Sequence, residues 1–197
     1  TFAVQSTHSS TTTTLDGNDG NDIFNVGSLT NSLDDILGLL TINGNAHSAS
    51  DTLNINDKGD SDDNTYALTA TTLNRSGMAT LTYGTIETLN LNAGMGDDTI
   101  LISDTHIGST TVNANTGADQ ITMQTSSGST TLNGDEGQDT LNLQATGLGA
   151  ITTLNGGDDA DIVNIQTIDG STTVNAGAGD DQINVSTDAP ANNGTLN

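Results

Sequence analysis

An aspartate recurs through the C-terminal half of this chain at Asp98, Asp119, Asp139, Asp161 and Asp181, at intervals of 21, 20, 22 and 20 residues. Asp22 and Asp51 are earlier members of the series. A fixed interval of this size marks stacked supersecondary units, and it outranks local secondary-structure signals. An apolar residue and an asparagine come first in Leu91-Asn92, Val112-Asn113, Leu132-Asn133, Leu154-Asn155 and Val174-Asn175. A turn rich in Gly, Asn and Asp then closes on the marker aspartate. After it the chain alternates, as in DTLNLQ (139–144), DIVNIQ (161–166) and DQINVS (181–186). Period-two alternation is the strand pattern, with Leu141/Leu143, Val163/Ile165 and Ile183/Val185 on the buried face. A second short strand precedes each turn: STTVN (109–113), STTLN (129–133), ITTLN (151–155) and STTVN (171–175). Two strands and two turns make one coil. The expected fold is all-β, a parallel β-helix or β-roll solenoid of 20–22 residues per coil.

Composition becomes intelligible on that architecture. The formal charge is -23, with Lys+Arg 2 and Asp+Glu 25, and only 2% of residues are aromatic. Such a chain would normally stay disordered, but one-dimensional stacking buries apolar faces without a globular core. The interior is expected to be narrow, filled by Val, Ile, Leu, Thr and Ala, with no room for a large aromatic. Asn92, Asn113, Asn133, Asn155 and Asn175 are placed to form an amide ladder. A second column joins Asn142, Asn164 and Asn184 with Asn25 and Asn54. Nucleic acid and anionic membrane surfaces are excluded as partners, because both would repel this charge. No apolar run approaches the roughly 20 residues of a membrane helix. Without Cys there is neither a disulfide framework nor a thiolate metal site. The first residues lack a signal-peptide pattern, so a secretion signal is expected to lie outside these residues.

The aspartate series poses an electrostatic problem. Carboxylates stacked at the roughly 4.8 Å spacing of paired strands repel by about 1 kcal/mol per pair even in bulk water. Lys58 and Arg75 are the only basic side chains. Calcium is the physical candidate for the missing charge, since it takes carboxylate and carbonyl oxygens, and glycine turns expose carbonyls. Ion-free turns are the alternative, because Gly, Asn and Asp also favour turns for backbone reasons.

The turns resemble the nonapeptide G-G-x-G-x-D-x-U-x of the RTX, or haemolysin-type, calcium-binding family. AGMGDDTI (93–100) matches with Gly94, Gly96, Asp98 and Ile100, and AGAGDDQI (176–183) with Gly177, Gly179, Asp181 and Ile183. GNDGNDIF (17–24) and GDEGQDTL (134–141) follow, the latter with Gly137 and Asp139. ANTGADQI (114–121) keeps Gly117 and Asp119; GGDDADIV (156–163) keeps Gly157 but has Asp159 at the fourth position; GNAHSASDTL (44–53) carries two extra residues before Asp51. The resemblance implies a parallel β-roll with calcium between successive loops. Its ligand-bearing residues would be Asp22, Asp51, Asp98, Asp119, Asp139, Asp161 and Asp181, with Gly94, Gly96, Gly117, Gly137, Gly157, Gly177 and Gly179. The family repeats every nine residues and binds on both edges. One motif per coil here implies a single calcium column on one edge, or Asn ladders that partly replace the ions.

Two stretches break the period. GSLTNSLDDILGLL (27–40) reads as a helical or looped insertion with apolar Leu33, Ile36, Leu37, Leu39 and Leu40. Residues 57–88 contain a second, with an acidic loop (57–65) and strands expected at 66–74, 79–83 and 85–92. Residues 16–26 also align with 175–185, 159 residues on. The whole of 1–197 therefore reads as a single segment of a longer array of modules of about 160 residues, whose coils could stack end to end.

No catalytic constellation stands out. His8, His47 and His106 share no spacing, the acid pairs Asp97/Asp98, Asp158/Asp159 and Asp180/Asp181 recur where an active site occurs once, and Glu87 has no evident partner. Sequons stand at Asn74, Asn184 and Asn193. Ser109/Thr111, Ser129/Thr131 and Ser171/Thr173 are placed to form an outward hydroxyl array, which as an alternative function would bind ice or glycan and is interrupted at Ile151. The expected function is non-enzymatic: an extracellular or cell-surface calcium-stabilised module of an adhesin, stalk or fibre, its partners calcium and copies of itself. The alternative from the enzyme class is a calcium-binding secretion or targeting module of a larger secreted enzyme.

Overall fold

The computed structural model describes residues 1–45, 50–186 and 194–197. His47, the centre of the 44–53 turn and the sequon at Asn193 lie outside the described residues. Among the described residues there are eighteen short strands and no helix. They are β1 (Phe2–Val4), β2 (Thr13–Asp16), β3 (Ile23–Val26), β4 (Leu40–Asn43), β5 (Thr52–Asn56), β6 (Thr65–Leu68), β7 (Thr72–Arg75), β8 (Leu81–Gly84) and β9 (Thr88–Asn92). There follow β10 (Thr99–Ile102), β11 (Ser109–Asn113), β12 (Gln120–Met123), β13 (Ser129–Glu136), β14 (Thr140–Leu143), β15 (Ile151–Asp158), β16 (Ile162–Ile165), β17 (Ser171–Ala178) and β18 (Gln182–Val185).

These strands form two sheets, neither closed on itself. Sheet 1 has eight parallel strands in the order β1-β3-β5-β9-β11-β13-β15-β17. Sheet 2 has ten, in the order β2-β4-β8-β7-β6-β10-β12-β14-β16-β18, and only β7 runs antiparallel to its neighbours. From β9 onward the chain alternates strictly between the sheets, a β-helix-like arrangement. Each residue pairs with the residue one interval away, so the apolar positions line up in columns. Leu91, Val112, Leu132 and Leu154 stack within sheet 1. Ile100, Ile121, Leu141 and Val163 stack within sheet 2. All eight are fully buried, and each contributes about 1.5–3 kcal/mol of burial. Ile183 and Val185 depart from the expected pattern, at 48% and 46% exposed. They sit on β18, the last strand of sheet 2 among the described residues.

The outward asparagines form ladders. The first runs through Asn56, Asn92, Asn113, Asn133, Asn155 and Asn175, each Nδ2 donating to the Oδ1 of the preceding member at 2.5–2.8 Å. The second expected column divides in two. Asn54 and Asn90 continue from Asn25 on sheet 1, whereas Asn142, Asn164 and Asn184 run along sheet 2. Asn133→Ala removes two ladder bonds, to Asn113 and from Asn155. At about 1 kcal/mol per bond, it is expected to lower stability by about 2 kcal/mol, read as a reduced denaturant midpoint at unchanged slope.

Both irregular stretches are wedged into this stack. The 27–40 insertion is looped, not helical; Leu33, Ile36 and Leu40 are buried, while Leu37 and Leu39 stay half exposed. The second stretch adds strands to sheet 2 alone. Residues 66–74 divide at a turn where the Thr69 hydroxyl accepts the N–H groups of Thr71 and Thr72 at 3.2 and 3.0 Å. As a result β6, β7 and β8 lie side by side in sheet 2, opposite the single step from β5 to β9 in sheet 1. The expectation that aromatics would not fit is corrected here. Tyr66 and Phe24 are fully buried and Tyr83 is 3% exposed. Both tyrosines belong to the widened excursion, and Phe24 stacks on Phe2 beside the first insertion, at 4.9 Å and 7° between rings.

Candidate metal centre

A parallel two-sheet coil has two turn edges, one where the chain leaves sheet 1 and one where it returns. The marker aspartates occupy both. Asp22 precedes β3 and Asp51 precedes β5, so these two lie on the returning edge. Asp98, Asp119, Asp139, Asp161 and Asp181 precede β10, β12, β14, β16 and β18 and lie on the leaving edge. The single column expected from sequence is therefore two. Asp51 and Asp98 are separated by one enlarged coil, β5 to β8, plus the further strand β9, and not by a whole number of coils. For the same reason, the aligned segments 16–26 and 175–185 sit on opposite edges.

Within each column the carboxylate caps the coil before it. The Asp22 N–H donates to Asp51 Oδ1 at 2.7 Å, and the Asp51 N–H donates to Glu87 Oε2 at 2.7 Å. On the leaving edge the donor N–H groups of Asn64, Asp98, Asp119, Asp139 and Asp161 reach the Oδ1 atoms of Asp98, Asp119, Asp139, Asp161 and Asp181 at 2.7–3.0 Å. Glu87 and Asn64 are thus column members. The pair DTLNIN (51–56) and ETLNLN (87–92) carried the signal for Glu87, and β5 and β9 pair in that register.

The second carboxylate oxygen decides what the columns can do. Asp51, Asp98, Asp119, Asp139 and Asp161 are 1–2% exposed. The Oδ2 atoms of Asp51, Asp119, Asp139 and Asp161 are buried without a hydrogen-bond partner, whereas Asp98 Oδ2 accepts the Gly94 N–H at 2.9 Å. Burial pushes the Asp119 carboxyl up to about 8 and that of Asp139 up to about 7, with neighbouring carboxylates adding to the rise and backbone N–H donors opposing it. Asp98 and Asp161 are raised for the same leading reason. An uncompensated buried carboxylate is costly, so each orphaned oxygen calls for a proton or a cation.

Beside the orphaned oxygens lie glycines outside the expected ligand set. A Cβ on Gly134 would collide with both Asp139 Oδ2 and the Gly156 carbonyl oxygen; one on Gly156 would collide with Asp161 Oδ2 and the Ala176 carbonyl. Gly44 stands likewise between Asp51 Oδ2 and the Thr85 carbonyl. Each is a cradle in which a carboxylate oxygen from one coil meets a carbonyl from the next. Two hard oxygens fit the donor chemistry of calcium, whose shell of six to eight would need further carbonyls or water. Among the described residues no three acidic or histidine side chains converge on a point. The remaining expected glycines sit elsewhere in the turns. Gly96, Gly117 and Gly137 pack backbone to backbone, as do Gly157 and Gly177, and Gly179 lies against Asp159.

Other candidates are dispersed. Ser10 lies within 3.3 Å of His8, and His106 meets Tyr83 edge-on at 6.4 Å. Asp97, Asp158, Asp159 and Asp180 are exposed at the turn tips. On the returning edge beyond Glu87, hydroxyls replace the acids: Thr105 Oγ1 accepts the Ser127 N–H at 3.1 Å, and Thr146 Oγ1 accepts the Asp169 and Gly170 N–H groups at 2.9 Å. Compared with known family models and with curated proteins, the chain matches none.

Proposed function

We propose that the chain is a calcium-stabilised β-solenoid, a non-catalytic structural module of an extracellular adhesin, stalk or fibre. The observation that carries this reading is the set of orphaned, buried Oδ2 atoms of Asp51, Asp119, Asp139 and Asp161. At three of the four, an adjacent glycine without a Cβ lets that oxygen and a carbonyl oxygen of the next coil converge on one point. A cation there would join two coils, so binding and stacking become one event and binding energy becomes folding energy. The formal charge of -23 supports the same reading, since self-repulsion keeps the ion-free chain expanded. Affinities of about 10⁻⁴–10⁻³ M are usual for extracellular calcium modules, which suits folding outside the cell. End-to-end stacking of copies would extend both sheets.

Far-UV circular dichroism during a calcium titration from excess chelator, with magnesium as control, tests the reading. The expected result is a cooperative gain of β signal near millimolar calcium and none with magnesium. Full β signal in chelator at pH 8, with no thermal shift on adding calcium, would sink it.

A further inference from the structure

Arg75, one of the two basic side chains of the chain, is buried at 5% exposure. It ends β7, on the same leaving edge that carries Asp98 to Asp181. Its Nε donates to Asp57 Oδ2 at 2.8 Å, its Nη2 pairs with Asp60 Oδ2, and its Nη1 donates to Asp34 Oδ1 at 2.6 Å and to the Ser76 carbonyl at 3.0 Å. Asp57 and Asp60 are 0% and 8% exposed. They belong to the turn between β5 and β6, directly beneath the turn of Asp98: the Met95 N–H donates to the Asp60 carbonyl at 2.7 Å and the Asn64 N–H to Asp98 Oδ1 at 2.7 Å. Both oxygens of Asp57 are fully used, Oδ1 by the Leu33 N–H at 2.7 Å and Oδ2 by Arg75 and the Tyr66 hydroxyl, the latter at 2.7 Å. In the second, third and fourth turns further along the same edge, the Oδ2 atoms of Asp119, Asp139 and Asp161 have no partner.

We propose that Arg75 is the resident counter-ion of the leaving edge, taking in the excursion the place that calcium takes in the later coils. This rests on the calcium reading above. The antiparallel excursion brings that guanidinium to the leaving edge, beneath the turn of Asp98. A coil whose buried carboxylates are already paired with its own arginine needs no metal there, so the block from β5 to β9, with the 27–40 insertion tied on through Asp34, folds in the absence of calcium. Its exposed sheet edges at β9 and β6 then template the metal-dependent coils one after another. The chain would thus carry a calcium-independent seed in its middle and calcium-dependent coils beyond it.

Hydrogen–deuterium exchange of the full chain by mass spectrometry, in excess chelator at pH 8 and again in calcium, tests this. The expected result in chelator is that amides of 65–92 exchange at least about tenfold more slowly than those of 109–178, with the second group gaining protection only in calcium. If both groups exchange fast in chelator and both are protected by calcium, the Arg75 proposal is overturned while the calcium reading stands. If both are protected in chelator and calcium changes neither, the calcium reading falls and takes the proposal with it. Arg75→Gln is expected to lose the protection of 65–92 in chelator; retention of that protection would also overturn the proposal. Should R75Q fail to fold even in calcium, the wild-type comparison decides.

Discussion

Asp139→Asn is expected to be more stable than the wild type in chelator at pH 8, although it removes a charge from a strongly conspicuous sequence motif. Asp139 is 1% exposed, its Oδ1 accepts the Asp119 N–H at 2.8 Å, and its Oδ2 has no partner. Its folded carboxyl is raised to about 7 by burial, against about 3.9 in an unfolded chain. A raised folded value means that the native state holds the proton more tightly. The resulting stabilisation is complete below about pH 4 and is lost as pH rises through 7. At about 1.4 kcal/mol per unit, Asp139 alone accounts for at most about 4 kcal/mol of that loss, and Asp119, at about 8, carries the window higher. Asparagine keeps the Oδ1 acceptor, cannot ionise, and offers an N–H toward the Gly156 carbonyl. Calcium should reverse the order, since a ligand at a hundredfold its Kd stabilises the wild type by about 2.7 kcal/mol and the variant lacks the anionic oxygen. Far-UV β signal of both proteins at pH 5 and 8, with and without calcium, and its urea midpoint wherever the signal is present, check all four corners. Wild type that is more stable at pH 8 than at pH 5 in chelator would refute the account.

The second large effect is steric. Gly137→Ala should cost several kcal/mol and abolish calcium-driven folding of its coil, whereas Gly149→Ala should cost only about 1 kcal/mol. Both glycines have positive φ, +124° and +79°, so both substitutions meet the backbone penalty of about 1–2 kcal/mol or less. They differ in surroundings. A Cβ on Gly137 would drive into the carbonyl carbon and oxygen of Gly117 in the coil below, whereas one on Gly149 meets nothing within 4 Å. Backbone cannot step aside as a side chain can without breaking the strand pairing on either side. Thermal unfolding in calcium distinguishes the two, and equal losses would show that conformation alone, not coil-to-coil approach, governs these turns.

Much of the architecture was legible in the residues because a stack repeats its local chemistry. Alternating Leu, Val and Ile marked the strands, the interval between aspartates marked the coil, and the Asn column proved to be a hydrogen-bonded ladder along sheet 1. The burial of Leu141, Leu143, Val163 and Ile165 followed from period two alone. Ile183 and Val185 obey the same pattern and are nonetheless half exposed, because burial of a stacked strand depends on the strand beyond it. The looped course of 27–40 was ambiguous from its apolar spacing, which suits a helix face as well as a tethered loop.

What the sequence determined by itself was the repeating unit: two strands, an asparagine rung and an acidic, glycine-rich turn, all set by side-chain periodicity within some twenty residues. Only the tertiary structure decided which edge each aspartate occupies. A count of residues cannot tell one enlarged coil plus a strand from two ordinary coils: β6 to β8 take up the residues of a further coil within one sheet, so Asp51 and Asp98, which a whole number of coils would put on one edge, fall on opposite edges. The same holds for Arg75, Asp34, Asp57 and Asp60. They are separated by up to 41 residues along the chain, and nothing short of the folded excursion brings their charges together.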